Sequence, residues 1–469
     1  MTRPSLEGSA AMIRAALQGR GKRRSEKVAP PPAEIRLLPQ PERRPLRVLV
    51  MSHMDPRVSR GGAEIAAFQL YEYLKAQPGV TTWFLAAAPG KIGERLGVRL
   101  IQPFGPDDYA YVGHGFDHFI HSNGDPEFPP EFMTLLADLK PDVVHLHHYT
   151  NFGIEVLLQI RRVLPDVRIV LTLHEYLAIC NHFGQMVKRQ NFALCDGASP
   201  RACHKCFPEK PEPDFFLREL FMKRFFRLVD HFVSPSHFLI DRYVAWGLPA
   251  ERLTMIENGM PIRTGPAAPN PYPSMADGLT VGFFGQISGL KGINVVLDAA
   301  EMLHAQGITD IRIDVHGDHS GQPEPFRKEF EARLAKAPPN FSFRGPYENR
   351  RVDALMRSVH AVLVPSIWWE NSPLVIQEAL LNRRPVICSD IGGMAEKVRN
   401  GRDGFHFQAG SAFSLAALLR GLAREPQRLT ALQQTMAVPP TIAETGAAIR
   451  DLYEQALRQP RAETRDIAA

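Results

Sequence analysis

The chain has 469 residues, enough for two or three domains, and its 44% hydrophobic and 22% charged residues are typical of a soluble globular protein. No apolar run approaches the ~20 residues of a membrane-spanning helix, and no apolar core of a signal peptide follows Met1, so we expect a cytoplasmic protein. The net charge of +5 arises in residues 1–45, which hold ten basic and four acidic residues, whereas the remainder is nearly neutral.

Residues 1–45 are a basic N-terminal extension with a short helical pattern. Leu6, Ala10, Ile13 and Leu17 recur at the spacing of one helix face. Basic amphipathic helices bind anionic lipid, so this pattern predicts peripheral contact with the inner face of a membrane. A disordered or partner-docking extension explains the same residues equally well.

From Leu46 onwards, apolar runs of strand length alternate with helical segments. Five such runs lie in the first half, at Leu46–Ser52, 80–88, 141–148, 167–174 and 230–236. Six more lie in the second half, at 279–285, 311–317, 341–345, 360–366, 384–390 and 403–407. Continuous apolar strands that alternate with helices are typical of parallel sheets covered on both faces.

A proline-rich segment separates the two halves. Residues 259–278 contain five prolines, which cannot donate sheet hydrogen bonds and therefore favour a linker. The sequence thus predicts an α/β protein with two doubly wound, Rossmann-like domains and a ligand cleft between them. The expected segments are the extension 1–45, a first domain 46–260, a linker 261–278, a second domain 279–440, and a C-terminal helix and tail 441–469.

The stretch "ENSPLVIQE" combines two carboxylates with a helix start. Ser372 is a good N-cap residue and Pro373 suits the first helical position, so the amide of Leu374 should point out of the helix. That end attracts a phosphate or diphosphate, while Glu370 and Glu378 could accept hydrogen bonds from sugar hydroxyls. Taken alone, the stretch favours an ordinary capped helix with surface acids.

Two glycine-bearing loops strengthen the functional interpretation. Gly285 and Lys291 follow the first strand of the second domain, where a lysine supplies a point charge for diphosphate oxygens. Gly61 and Gly62 precede the first helix of the first domain. Either loop alone is an ordinary turn, but two such loops that face one cleft indicate a shared anionic ligand.

These motifs together resemble those of the retaining glycosyltransferases of family 4, which have the two-domain GT-B fold. The resemblance rests on "ENSPLVIQE" with the following "EALLNRRPVICSDIGGMAEKV", and on "FFGQISGLKG", "GGAE" and "LTLHEY" in the family's order. It covers roughly residues 46–457. The combination is specific to this family, although no single motif is.

The resemblance implies a role for each matching residue. The catalytic residues would be His174, Lys291 and Glu370. The donor-binding residues would be Gly61, Gly62, Gly285, Gln286, Lys291, Glu370, Asn371, Ser372, Leu374 and Glu378. The implied reaction is transfer of a hexose, with retention of anomeric configuration, from a nucleoside-diphosphate sugar to a hydroxyl of a glycan or lipid-linked acceptor, in polysaccharide or glycolipid biosynthesis.

One position departs from the family pattern. Family members usually carry an arginine where this chain has Gln286, and that arginine shares the charge of the leaving group with the lysine. Arg344 and Arg351 are candidates to replace it. The absence of this arginine puts the rate of sugar transfer in doubt. It motivates the alternative that the protein is a sugar-binding relative of these enzymes with weak catalysis. No Asp-x-Asp motif occurs, so we expect no catalytic metal.

Four of the five cysteines fall in the segment 180–206. They are Cys180, Cys195, Cys203 and Cys206. The final Cys-x2-Cys spacing suits a structural zinc ion, with His182 and His204 as substitute ligands, while reduced thiols or disulfides explain the cluster equally well. Zinc and the basic extension would also suit a nucleic-acid-binding protein, but the neutral body makes that class a weak alternative, and we expect no nucleic acid partner.

The segment 215–232 is aromatic and basic, and it has two interpretations. It could contact a membrane that holds a lipid-linked acceptor. The preferred interpretation is a helix that packs beneath the first sheet with its arginines facing outward.

Overall fold

The structure is a computed structural model that describes residues 44–59, 61–90, 92–93, 97–261 and 272–459. The helical pattern predicted in the basic extension and most of the predicted linker lie outside these residues. Residues from Pro45 onwards cluster into one unit, which contains both predicted domains.

The first lobe is built on an eight-stranded sheet with the order β3-β4-β2-β1-β5-β6-β7-β8. Its strands are β1 (Leu46–Ser52), β2 (Val80–Ala87), β3 (Leu100–Gly105), β4 (Asp108–Tyr111), β5 (Val143–Leu146), β6 (Arg168–Thr172), β7 (His231–Ser234) and β8 (Leu253–Met255). Neighbouring strands are parallel except for the pair β3 and β4.

Helices cover both faces of this sheet. They are α1 (Gly62–Lys75), α2 (Phe128–Leu139), α3 (Val156–Val163), α4 (Pro200–Cys206), α5 (Glu212–Phe226) and α6 (His237–Trp246), with a 3-10 turn at Ala250–Arg252. In β1, Leu49 and Met51 are buried in one apolar cluster and Val48 and Val50 in another. Because successive side chains of a strand point to opposite faces, two buried clusters on one strand require a covered sheet.

The second lobe is built on a six-stranded parallel sheet with the order β11-β10-β9-β12-β13-β14. Its strands are β9 (Leu279–Phe284), β10 (Ile311–His316), β11 (Phe341–Gly345), β12 (Ala361–Val364), β13 (Val386–Ser389) and β14 (Gly404–Phe407). Its helices are α7 (Ile293–Ala305), α8 (Glu324–Leu334), α9 (Val352–Arg357), α10 (Leu374–Leu381), α11 (Gly392–Lys397), α12 (Ala412–Arg424) and α13 (Gln427–Leu432), and a 3-10 turn at Asn349–Arg351 precedes α9.

The last described helix, α14 (Ile442–Arg458), returns to the first lobe. It begins with a capping box in which Thr441 and Glu444 satisfy each other's backbone amides. Ile449 and Tyr453 are buried in the same cluster as Val48 of β1. This helix therefore completes the cover of the first sheet although it follows the second lobe in sequence.

In the part of the chain that the structure describes, no helix has both the length and the apolar character needed to cross a bilayer.

Candidate active site

A cavity of about 450 Å³ lies between the two lobes. The first lobe contributes His53, Gly62, Ala63, Glu64, His148, His174, Glu175, Pro235 and Asn258 to its lining. The second lobe contributes, among others, Gly285, Gln286, Lys291, Glu370, Asn371, Ser372 and Leu374. Many of these residues follow the carboxyl ends of parallel strands, the edge at which doubly wound sheets bind ligands.

Two helices from different lobes begin at this cavity. The helix α1 begins at Gly62 and α10 begins at Leu374. A Cβ atom built on Gly62 would lie only 3.7 Å from Cδ1 of Leu374, so the two helix starts are close neighbours. Because the first amides of a helix lack intrahelical partners and carry partial positive charge, the cavity favours an anionic ligand.

The start of α10 differs from the prediction by one residue. Pro373 takes the extended conformation of a cap residue, with φ −65° and ψ 120°, and the helix begins at Leu374. Ser372 is therefore not the N-cap. Its Oγ is buried beside the cavity and has no hydrogen-bond partner among the described residues, which leaves this hydroxyl available to a ligand.

Glu370 is the most strongly held carboxylate of the cavity. Its Oε1 accepts hydrogen bonds from Lys291 Nζ at 2.5 Å, Ser366 Oγ at 2.8 Å and Trp368 Nε1 at 3.0 Å. The side chain is almost fully buried. Because these three bonds share one oxygen, Oε2 keeps its capacity to accept hydrogen bonds from a sugar.

Lys291 is the only lysine or arginine among the described residues that line the cavity. Its ammonium group has three N–H donors, and one of them is directed at Glu370. Gln286 also lines the cavity, as its position in the motif predicts. Arg344 and Arg351 do not line it, and Arg344 pairs with Asp314 at 3.0 Å, so neither supplies a second cation in this structure.

His174 is half-buried at the first-lobe wall of the cavity, where it contacts the buried His147. Its Nε2 shares a hydrogen bond of 3.1 Å with Nδ1 of His147, and the two rings stack. Burial lowers the pKa of His174 to about 3, and burial likewise lowers the pKa of His147. The ring that faces the cavity is therefore neutral and can donate or accept a hydrogen bond without carrying a charge.

The motifs pointed to no role for two acid–histidine pairs on the first-lobe wall. His53 Nε2 lies 3.4 Å from Glu64 Oε1, and His148 Nε2 lies 3.0 Å from Glu175 Oε1. Burial raises the pKa of Glu64. Glu64 and Glu175 were present in the motifs "GGAE" and "LTLHEY", and His148 ends the predicted strand 141–148, but only the fold brings them together.

Asn371 joins the two lobes at the edge of the cavity. Its Nδ2 donates to the carbonyl oxygen of His174 at 3.2 Å, and its Oδ1 accepts a hydrogen bond from Ser236 Oγ. Asn371 is buried. The loop that carries Glu370 is thus fixed by contacts from the opposite lobe.

The remaining predicted donor residues lie outside the cavity lining. Gly61 precedes α1 and is close to the Glu64 carboxylate, and Glu378 lies one turn into α10. Burial and the nearby Glu378 carboxylate raise the pKa of Tyr347. A Cβ atom on Gly393 would lie 1.6 Å from the carbonyl oxygen of Asn371, so only a glycine at this position allows the loop that carries Glu370 and Asn371 to pack so closely.

The structure does not assemble the predicted zinc site. No group of three or more His, Cys, Asp or Glu side chains among the described residues could hold a metal ion, and this part of the chain includes all four cysteines. His182 and His204 are directed instead at the carbonyl oxygens of Val187 and Lys210. Burial raises the pKa of Cys180 to about 11, so this thiol is protonated at neutral pH in the structure.

Two Rossmann-like lobes that enclose such a cavity define the GT-B class of glycosyltransferase folds. The family model of Glycosyltransferase Family 4 matches residues 60–263, and that of Glycosyl transferases group 1 matches residues 269–436. The chain belongs to the family 4 glycosyltransferases, which confirms the family resemblance and the GT-B fold expected from the sequence.

Two curated relatives have inositol-containing names. A D-inositol 3-phosphate glycosyltransferase of Nocardia farcinica is 28% identical over 294 residues, 59% of this chain and 58% of the relative. A phosphatidyl-myo-inositol mannosyltransferase of Mycobacterium leprae is 28% identical over 172 residues, 36% of this chain and 44% of the relative. The matches therefore span less than two thirds of the length of either relative.

A solved structure shares the fold at low sequence identity. The Anabaena protein Alr3699/HepE in complex with UDP-glucose has a TM-score of 0.59 and 16% identity, and the alignment covers 87% of this chain and all of that one. Similarity at this identity establishes the common fold.

Proposed function

We propose that the protein is a retaining glycosyltransferase that moves a hexose from a nucleoside-diphosphate sugar to an acceptor hydroxyl. The observation that carries the proposal is the pair Lys291 and Glu370, held 2.5 Å apart at the cavity where α1 and α10 begin. The UDP-glucose bound to Alr3699/HepE supports a nucleotide-sugar donor. The inositol lipid in the name of the mycobacterial relative supports a glycan or lipid-linked acceptor.

The barrier to transfer lies in the break of the bond between the sugar and the diphosphate. Negative charge then accumulates on the diphosphate while the sugar becomes cation-like. The ammonium of Lys291 and the amides at Leu374 would stabilise that charge without reorganisation, because the fold already holds them in place. Glu370 would orient the sugar through Oε2, and the neutral His174 would contact the sugar near the reacting carbon.

A second candidate is a sugar-binding relative with weak catalysis. It is motivated by Gln286, since the described cavity lining holds Lys291 as its single Lys or Arg cation. This candidate predicts that donors bind with ordinary affinity while turnover stays near the background rate. Transfer assays alongside binding titrations separate the two candidates.

The test compares two ion pairs of the same lobe. Lys291→Ala and Glu370→Ala should each lower kcat by about 100-fold or more, the usual effect of removing one group that stabilises a developing anion. The matched control is the exposed pair of Lys328 and Glu324, 2.6 Å apart on α8, whose Lys328→Ala and Glu324→Ala variants should keep full activity. Near-complete turnover in either cavity variant would contradict the assignment.

A further inference from the structure

One face of α5 exposes large apolar side chains side by side. Phe216, Leu217 and Leu220 are 53%, 59% and 50% exposed, respectively. The opposite face is packed, with Phe215 and Phe226 among its buried residues. The predicted helix is confirmed, but the prediction that its arginines face outward is wrong for Arg218, which is buried. Exposed aliphatic and aromatic residues that adjoin on one helix face indicate an interaction surface, whereas isolated ones do not.

The charges around this face are mainly positive. Arg224 and Arg227 are exposed and continue the same helix face beyond Leu220. The helix α4, which packs against α5, exposes Arg201 and Lys205 one turn apart. Of the carboxylates within the two helices, Glu212 is exposed and Asp214 and Glu219 are half-buried. Glu219 is paired with Lys223 at 2.5 Å. An apolar strip beside exposed cations is complementary to a surface that is apolar beneath and anionic at its edge.

A buried arginine joins α5 to the loop that follows the cavity wall. Arg218, next to Leu217, donates to the carbonyl oxygens of Leu177 at 2.7 Å and Ala178 at 2.8 Å. Those carbonyls follow Glu175 of the cavity wall by two and three residues. The exposed strip is therefore fixed to the loop that leads away from the first-lobe wall.

We propose that the face formed by Phe216, Leu217, Leu220, Arg224 and Arg227 docks on a lipid bilayer with anionic headgroups. The three apolar side chains enter the boundary between headgroups and acyl chains, and the arginines contact lipid phosphates. A bilayer at this face adjoins the helix that Arg218 joins to the loop after Glu175, and it would bring a lipid-borne acceptor to the first lobe. Only this last step rests on the proposed function, since docking requires no sugar transfer.

Sedimentation of the full chain with vesicles tests the proposal without any donor or acceptor. The background carries Arg20, Lys22, Arg23 and Arg24 each replaced by glutamine, so that the basic extension contributes less to binding. In this background the protein should bind vesicles of phosphatidylcholine mixed with phosphatidylglycerol more tightly than pure phosphatidylcholine. The triple variant F216S/L217S/L220S should bind the mixed vesicles at least about tenfold more weakly.

The matched control is Phe413→Ser, because Phe413 is an isolated phenylalanine on α12 that is 68% exposed. This variant should bind vesicles like its parent. Equal binding by the triple variant and its parent would overturn the proposal, as would failure of the parent to bind anionic vesicles. A third outcome would overturn the proposal in favour of a protein partner. In that outcome the parent self-associates and does not bind vesicles, whereas the triple variant is monomeric. Transfer to a water-soluble acceptor, measured separately, reports on the proposed function alone.

Discussion

Acidification from pH 7 to 5.5 should destabilise the fold through its buried histidines. His145 of β5 is fully buried, with Nδ1 2.5 Å from the hydroxyl of Tyr453 and Nε2 2.7 Å from Oγ1 of Thr172. Burial lowers the pKa of His145 to about 3. The ring therefore stays neutral in the folded protein throughout this pH range, and it joins α14 to the first sheet in that form.

The size of the effect follows from the two protonation states. A histidine in the unfolded chain has a pKa near 6.5, so it takes up a proton as the pH falls to 5.5 while folded His145 does not. The unfolded state gains about 1.3 kcal/mol for each such histidine, and the free energy of unfolding decreases by the same amount. Burial lowers the pKa of His174 in the same direction, to about 3, so its contribution has the same sign.

The measurement compares wild type with His145→Gln, which keeps polar atoms near Tyr453 and Thr172 but cannot take up a proton in this range. Urea unfolding at pH 7 and 5.5 gives the loss of stability for each protein. The loss should be smaller in the variant by about 1.3 kcal/mol, whatever the variant's stability at pH 7. At pH 8 and above, where unfolded histidines are neutral, the two proteins should show the same pH dependence. An identical loss between pH 7 and 5.5 would refute the assignment of His145 as a buried neutral ring.

Three further outcomes are expected. Gly62→Ala should leave the melting temperature unchanged, since its Cβ would make an ordinary 3.7 Å contact with Leu374. The same variant should bind a nucleoside diphosphate about tenfold more weakly in a titration, because the added methyl group lies at the helix start that would bind the anion. Gly393→Ala should lower both the melting temperature and kcat, since its Cβ would lie 1.6 Å from the Asn371 carbonyl oxygen and would displace the loop that carries Glu370 and Asn371. Dialysis against EDTA should leave kcat within about twofold if protein groups stabilise the leaving diphosphate, and a large loss restored by Mg²⁺ or Mn²⁺ would contradict that.

Most of the strands that the sequence revealed consist largely of buried residues, although β11 at the edge of the second sheet is mostly half-buried. All eleven predicted runs contain a strand, because continuous apolar residues mark a parallel strand under helices. The strands β3, β4 and β8 were missed. Each lies at or next to an edge of the first sheet; β3 is largely exposed and contains Pro103, and β8 has only three residues. These three strands lack the apolar run on which the prediction depended, whereas the edge strands β11 and β14 of the second sheet were predicted.

Residues of the cavity could be predicted from the sequence where several of them lie in one short segment. The stretch from Glu370 to Leu374 and the loop with Lys291 each hold their predicted residues close together in sequence, and both line the cavity. The pairing of His53 with Glu64 depends on how β1 and α1 pack, and no local pattern records it. The cysteine spacing suggested zinc because spacing alone does not show where the side chains point.

The cysteine-rich loop, residues 180–206, contacts the second lobe at Trp369 through a hydrogen bond that involves no metal. The indole Nε1 of Trp369 donates to the carbonyl oxygen of Cys195 at 3.1 Å. Arg242 lies over the same indole ring, 4.8 Å from its centroid, and donates to the carbonyl oxygen of Asp196 at 2.8 Å. Because Trp369 directly precedes Glu370, these first-lobe contacts help to fix the carboxylate that would orient the sugar. A displacement of Cys195 or Asp196 should therefore shift the Trp369 indole, and with it the neighbouring Glu370.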